Sequence, residues 1–204
     1  MKKVIFIALL IVGMMSQVNA QAPVTLASFH NTFSQLEEVQ TVLQMGVLDG
    51  KSAYFLMDDN NPIDQKAAII NALVESDRDS ENATTFSMFL ARKYGADFKN
   101  LDLKLLTGDE LFCLGYLTII DENGNPDLAL PIFEKAIEKD AKSLTIQLIT
   151  ALAKAQLSIN QKDNCAAWKA FSTVATSSAF TNDLDGNIKS ELSNAMNPYN
   201  QACE

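Results

Sequence analysis

Apolar side chains recur every three or four residues along nearly the whole chain, and this spacing constrains the fold more than any other feature. Residues 24–45 carry it as one stripe, formed by Leu26, Phe29, Phe33, Leu36, Val39 and Leu43. Such spacing places side chains on one face of an α-helix. No run alternates apolar and polar residues in the manner of a half-buried strand. The sequence therefore predicts an all-α fold, with residues 24–45 as its first helix.

Polar turns divide the rest of the chain into short helices. Asp49 and Gly50 end the first stripe, Asn61 is expected to cap a helix that starts at Pro62, and Gly95 is expected to end the next helix. A further cap is expected near Thr107. Helices joined by loops of about five residues pack as antiparallel neighbours. The sequence therefore predicts a stack of antiparallel helical hairpins in a single domain, residues 21–204.

The first residues are typical of a signal peptide. A basic "MKK" precedes the apolar run "VIFIALLIVGMM", and the small residue Ala20 precedes a polar segment. A membrane anchor is the alternative, but the run is shorter than the roughly 20 residues that span a bilayer. We expect cleavage after Ala20 and export of the mature chain to the periplasm or the cell exterior.

The mature chain is acidic. Without Lys2 and Lys3 it has 14 basic and 25 acidic residues, a net charge of −11. Such a surface repels nucleic-acid phosphates and anionic lipid. The charge disfavours nucleic-acid binding, and no second apolar span predicts membrane insertion of the mature chain.

Three cysteines occur, all far from the cleavage point. We expect Cys165 and Cys203 to form a disulfide that ties the C-terminal segment down, as in other exported proteins. Cys113 lies in the apolar "LFCLGYL" and would pack as a buried, inert thiol. The alternative is three unpaired thiols.

Residues 111–140 and 152–174 carry the same order of small and large side chains. A small residue on one helix precedes a small–aromatic–small triplet on the next, namely Gly115 then Ala129, Phe133 and Ala136, and Ala155 then Ala167, Phe171 and Val174. Two helices that cross closely need a small side chain at the contact, and a neighbouring aromatic ring fills the remaining space.

This pattern, over residues 111–176, resembles the tetratricopeptide repeat. The resemblance implies a short right-handed stack of hairpins. The sequence departs from the family where Leu111 and Ala151 replace its Trp, Thr118 and Ser158 replace its Tyr, and the closing Pro is missing. Pro131 is a further departure, since it falls inside the predicted second helix and should kink it. A generic helical bundle with the same spacing stays the alternative.

The resemblance also implies a concave partner-binding face formed by the first helix of each hairpin. Carried onto this chain, the face comprises Phe112, Tyr116, Ile119, Leu152, Gln156 and Ile159. Taken one at a time, the apolar members would serve equally well as core. Two hairpins also form little groove, because stacked repeats bury these positions unless the superhelix is open.

The sequence gives little sign of catalysis. His30 is the one histidine and lacks spaced metal-ligand partners, and no phosphate loop or nucleophile elbow occurs. The loops "DENGNPD" and "TNDLDGNIKSEL" partly match the ligand spacing of an EF-hand calcium loop. Asp and Asn residues in such loops more often cap helices and form turns, which is the simpler interpretation here. We therefore predict no catalytic residue, metal or cofactor.

The sequence as a whole predicts an exported, non-catalytic helical-repeat protein that binds a protein or peptide partner in the cell envelope. The alternative is a helical enzyme or small-ligand carrier with a cavity between the hairpins. A third possibility is an adaptor subunit that is stable only with its partner.

Overall fold

A computed structural model describes residues 23–75 and 81–203, and it confirms the all-α class. The α-helices are α1 (Pro23–Leu26), α2 (Glu37–Met45), α3 (Gly50–Met57), α4 (Ile63–Ala72), α5 (Asn82–Tyr94), α6 (Gly108–Asp121), α7 (Leu130–Lys139), α8 (Leu144–Asn160), α9 (Asn164–Ala175) and α10 (Gly186–Met196). Short 3₁₀ helices cover Phe29–Phe33, Leu73–Glu75, Phe98–Asn100, Leu103–Leu105 and Asn197–Cys203. The predicted signal peptide, residues 1–20, lies outside the described residues.

Side-chain caps explain where several helices begin. Thr107 and Glu110 form a capping box at the start of α6, in which each side chain accepts a hydrogen bond from the other residue's backbone N–H. Asp49 accepts a bond from the N–H of Ser52 and so caps α3. Gly95 follows α5 with a φ of 64°, a left-handed conformation that glycine adopts without strain. The predicted cap at Thr107 and the stop at Gly95 are confirmed.

The first stripe is not one helix. Residues 24–45 divide into α1, a 3₁₀ segment and α2. The backbone N–H of His30 donates to the side-chain oxygen of Asn71, 3.1 Å away, instead of to a helical carbonyl. A tertiary bond thus takes over a donor that a continuous helix would need, and the prediction of one helix was wrong.

Pro131 does not kink a helix. The second helix of the first hairpin, α7, begins at Leu130, so Pro131 occupies its first turn. The missing N–H of proline costs nothing there, because first-turn N–H groups have no helical partner. The turn before α7 is closed by Pro126, whose carbonyl accepts the N–H of Leu130 at 2.9 Å. The expectation of a kink was wrong because the helix starts later than its apolar spacing predicts.

The core is built around α6 and α8. α6 packs against α3, α4, α5 and α7, whereas α8 packs against α9, α7 and α1. Every residue of α6 from Leu111 to Leu117 is buried, so this part of the helix is enclosed on all sides. Helices α6 and α7 form one hairpin, and α8 and α9 form a second one beside it.

The C-terminal segment is fixed to α9. Cys165 and Cys203 are joined at disulfide distance, with their Cα atoms 4.8 Å apart, in agreement with the predicted bridge. The 3₁₀ segment Asn197–Cys203 packs along α9 and α10. Cys113 is fully buried, and burial raises the pKa of its thiol well above the ordinary range. The thiol of Cys113 is therefore un-ionised at neutral pH and inert as a nucleophile.

Among residues 23–75 and 81–203, no helix combines the length and apolar character needed to cross a bilayer.

Candidate functional site

The six residues that the repeat resemblance assigns to a binding face do not form an open surface. Phe112, Tyr116, Ile119 and Leu152 are fully buried, Gln156 is 6% exposed, and Ile159 is half-buried against the core. The physical reason is that the N-terminal helices cover this face. α4 packs on α6, and α1 packs on α8. The face is core here, as each apolar member alone would suggest.

Asn71 ties this cover in place. Its amide nitrogen donates to the carbonyl of Ala27 at 2.9 Å and to the hydroxyl of Tyr116 at 3.3 Å. Its amide oxygen accepts from the backbone N–H and the Nδ1 of His30, at 3.1 and 3.0 Å. An amide oxygen only accepts, so Nδ1 carries a proton, and Nε2 lies 3.4 Å from a carboxylate oxygen of Glu75. His30 is thus a buried structural residue.

The small–aromatic contact predicted for the first hairpin is present. A Cβ atom on Gly115 would lie 3.1 Å from the ring of Phe133, and that ring lies 6.2 Å, centroid to centroid, from the ring of Phe112. The equivalent residues of the second hairpin, Ala155 and Phe171, are buried as well. The interhelical packing therefore follows the predicted pattern, while the type of repeat stays a prediction.

An open groove with exposed aromatic side chains lies between α3 and α5. We call it the aromatic groove; it measures 530 Å³ and is lined by Tyr54, Met57, Asp58, Phe89, Arg92 and Lys93. Tyr54 is 56% exposed, and its ring meets that of Phe89 edge to face at 5.4 Å. Exposed aromatic side chains in a concavity are typical of binding surfaces rather than of a plain solvated face.

Charged side chains occupy the other end of the aromatic groove. Lys93 donates to Glu110 at 2.7 Å and to the carbonyl of Met57 at 3.3 Å. Asp58 accepts two bonds from Asn60, chiefly from its backbone N–H, and these bonds hold the pKa of the Asp58 carboxyl below its usual value. The guanidinium of Arg92 makes neither an ion pair nor a hydrogen bond with any residue that the structure describes.

A second, smaller concavity lies between the two hairpins. This hairpin cleft measures 260 Å³ and is lined by Ile137, Gln147, Thr150, Ala151, Lys154, Ala170, Thr173 and Val174. Thr150 is 1% exposed, and its hydroxyl has no hydrogen-bond partner among the described residues. A buried hydroxyl without a partner is uncommon, because it loses its bonds to water.

The second acidic loop, residues 181–192, holds the starts of two helices, whereas in the first loop Asn125 accepts from the N–H of Asp127 within the turn. Asp183 accepts from the N–H and the hydroxyl of Thr145 at the start of α8, and Asp185 caps α10. Asp64 accepts from the N–H of Asp185 at 3.2 Å. Burial, together with the charges of Asp185 and Asp183, raises the pKa of the Asp64 carboxyl. Within the described residues, no group of three or more His, Cys, Asp or Glu side chains is arranged to hold a metal ion.

Sequence reasoning missed the aromatic groove, although two signals pointed to it. In α3 the buried positions are Ser52, Ala53, Leu56 and Met57, so Tyr54 lies off the buried face of that helix. Arg92 is one of two arginines in a strongly acidic chain. Neither signal shows which residues of α5 face α3, because that juxtaposition depends on tertiary packing.

Comparison with known proteins gives no match: no protein family, no curated protein and no solved structure is significantly similar to this chain.

Proposed function

We propose that this protein is an exported, non-catalytic helical protein that binds a peptide segment of a partner protein in the cell envelope. The aromatic groove is its binding site. One observation carries the proposal: a partly exposed aromatic pair, Tyr54 and Phe89, lies in a groove beside the Arg92 guanidinium, which has no partner among the described residues. Tyr, Phe and Arg side chains are enriched at protein interfaces because they combine a large apolar area with directional polar groups.

The shape of the groove favours a peptide over a small molecule. Its walls come from the exposed sides of two helices, α3 and α5. A small-molecule site usually encloses most of its ligand. A peptide segment can run along a two-walled groove and leave its outer side in water.

Export and the repeat stack belong to the same proposal. The signal-peptide pattern of residues 1–20 and the paired Cys165 and Cys203 support export, since disulfides persist in oxidising compartments. The Gly115–Phe133 contact supports a tetratricopeptide-like hairpin. In this proposal the covered helix face serves as core, and the partner binds on the side of α3 and α5.

Peptide selection tests the proposal. Random short peptides are displayed and selected against the exported protein with its disulfide intact. The affinity of enriched peptides is then measured by fluorescence anisotropy. We expect Tyr54→Ala to weaken binding by about tenfold, the effect of losing one aromatic contact of about 1.4 kcal/mol.

Leu128→Ala is the matched control, because Leu128 is 60% exposed and lies outside the groove. We expect this variant to bind like the wild type. Failure to enrich any peptide, or equal affinity of wild type and Tyr54→Ala, would contradict the proposal. Circular dichroism melts of both variants separate lost binding from lost folding.

A second candidate function is a small-ligand carrier that uses the hairpin cleft, and the unpaired Thr150 hydroxyl favours it. Such a ligand would offer a hydrogen-bond acceptor or donor to Thr150 and an apolar body to Ile137 and Val174. A thermal-shift screen of small amphiphiles tests it. A hit should raise the melting temperature of the wild type and not of Thr150→Val, which keeps the side-chain shape. Equal shifts in both would reject the cleft as the site.

A further inference from the structure

Three charged side chains line the aromatic groove, and two of them, Asp58 and Lys93, already have partners among the described residues. Lys93 pairs with Glu110, and Asp58 accepts its bonds from Asn60. Glu110 also accepts from the hydroxyl of Tyr94 at 2.7 Å and from the N–H of Thr107 at 2.8 Å. Of these side chains, only Arg92 has no partner in the part of the chain that the structure describes, so a ligand can pair with it without breaking a contact seen there.

Lys93 cannot take that role without loss. Glu110 is fully buried, and Lys93 is the cation that the structure pairs with it. An anion that drew Lys93 away would leave a buried carboxylate without its counter-charge, which is strongly unfavourable. The two neighbouring residues therefore differ in kind. Lys93 stabilises the fold, whereas Arg92 is exposed and has no partner within residues 23–75 and 81–203.

The charge at the groove selects among anions. With Lys93 and Glu110 neutralising each other, the ionised Asp58 and the free Arg92 remain. A carboxylate carries one charge and matches the fork of a guanidinium through two parallel hydrogen bonds. A phosphate dianion would meet stronger repulsion from Asp58. The groove therefore favours a carboxylate.

The other end of the groove is apolar. Phe89 lies against the backbone of α3, since a Cβ atom on Gly50 would be 3.5 Å from its ring. Tyr54 extends outward from the same pair, with its ring at 73° to that of Phe89. An apolar or aromatic side chain of a ligand can cover the exposed surface of Tyr54.

We propose that the aromatic groove binds a peptide segment with an apolar side chain against Tyr54 and Phe89 and a neighbouring Asp or Glu side chain paired with Arg92. This inference rests on the proposed peptide-binding function and adds its specificity. The groove would recognise a short segment of the partner in which an acidic side chain lies near an apolar one.

The experiment uses the displayed library of random short peptides, selected against the exported, disulfide-bonded protein. The enriched sequences should carry Asp or Glu near an apolar residue. We expect Arg92→Gln to weaken the best acidic peptide by about tenfold. Changing the peptide's Glu to Gln should weaken its binding to the wild type by the same factor. The two changes together should cost no more than either one alone, because both remove the same contact.

Arg92→Lys is the matched variant that keeps the charge and loses the fork. It should recover part of the affinity that Arg92→Gln loses. Equal affinity of the wild type and Arg92→Gln for the acidic peptide would overturn this inference. If Tyr54→Ala still weakened binding in that case, the proposed peptide-binding function would stand without the acidic specificity. If no peptide were enriched, both would fall.

Discussion

The two ends of this molecule are held together by different chemistry. The hairpins of residues 108–175 pack through apolar contacts, such as the ring of Phe133 against Gly115 and Phe112. The N-terminal helices share this apolar core and are also attached to it through buried polar groups. Asn71 links three segments of chain, and Lys66, fully buried, pairs with Asp109 at 2.6 Å.

This difference explains why one region follows its sequence pattern more closely than the other. Apolar contacts tolerate small shifts, because each atom pair contributes little and many add up. Buried polar contacts depend on a few directional bonds, and each unpaired group is costly. The N-terminal region should therefore respond to changes in single polar atoms, and the hairpins should respond to changes in volume.

The largest effect is expected in the hairpins. Phe133→Ala removes a fully buried ring between α6 and α7 and should lower the free energy of unfolding by about 3–5 kcal/mol. Chemical denaturation followed by circular dichroism measures the loss. Phe98→Ala is the control, because Phe98 is 38% exposed and should lose far less. Similar losses in the two variants would contradict the packing described for this hairpin.

Asn71→Leu is the corresponding test of the N-terminal region. The change replaces the carboxamide with an apolar side chain branched at the same atom, and it leaves the Ala27 carbonyl and the His30 N–H without their bond to Asn71. We expect a loss of about 2–4 kcal/mol in the free energy of unfolding, measured in the same way. Asn125→Leu, at an exposed turn, should change it little. A neutral Asn71→Leu would show that the polar attachment is dispensable.

Lys93→Met and Arg92→Met compare two adjacent basic residues. The first leaves the buried Glu110 without its cation and should cost about 1–3 kcal/mol of stability, whereas the second should stay within about 0.5 kcal/mol of the wild type. Adding Glu110→Gln to Lys93→Met should recover part of the loss. Equal losses at the two positions would remove the distinction between a structural cation and a free one.

The smallest effect is expected at Asp64, where the N-terminal helices meet the loop before α10. The folded pKa of Asp64 is raised above its ordinary value of 3.8, first by burial. Between the unfolded and the folded pKa, the folded state binds more protons, so this residue's contribution to stability rises as the pH falls through that window. Asp64→Asn should therefore be slightly more stable than the wild type at neutral pH.

That advantage should shrink as the pH falls toward 3.8, where Asp64 itself becomes protonated in the folded protein. Thermal melts at neutral and at acidic pH measure the difference. Asp127→Asn, at an exposed turn, is the control for the substitution itself. An advantage that grew on acidification would show that the charge of Asp64 stabilises the fold.

Particular residues show how far the sequence alone predicts this structure. The caps at Thr107 and Gly95 and the all-α class follow from local chemistry and composition, whereas the pairing of Cys165 with Cys203 was predicted beside the alternative of three unpaired thiols. The break after α1 does not, because it depends on Asn71, which is 41 residues away from His30 in the chain. Apolar spacing identifies a helix face but does not show which other helix covers it.

The candidate site was the harder part for the same reason. Phe112 and Tyr116 carry the spacing of an exposed repeat face, yet α4 packs over them. Tyr54 and Arg92 come from helices that no sequence pattern places side by side. The role proposed for Tyr54 and Arg92 depends on which neighbouring charges already form ion pairs. Only the three-dimensional structure shows those pairs.

The bond from the Asp185 N–H to Asp64 spans 121 residues, and α1 packs on α8. Contacts between such distant parts of a chain form late, because closing a long loop costs entropy before any contact offsets it. The helical hairpins can form early from their local contacts. The cover that α1 forms on α8 joins distant parts of the chain, so its contacts are expected to form after those within each hairpin.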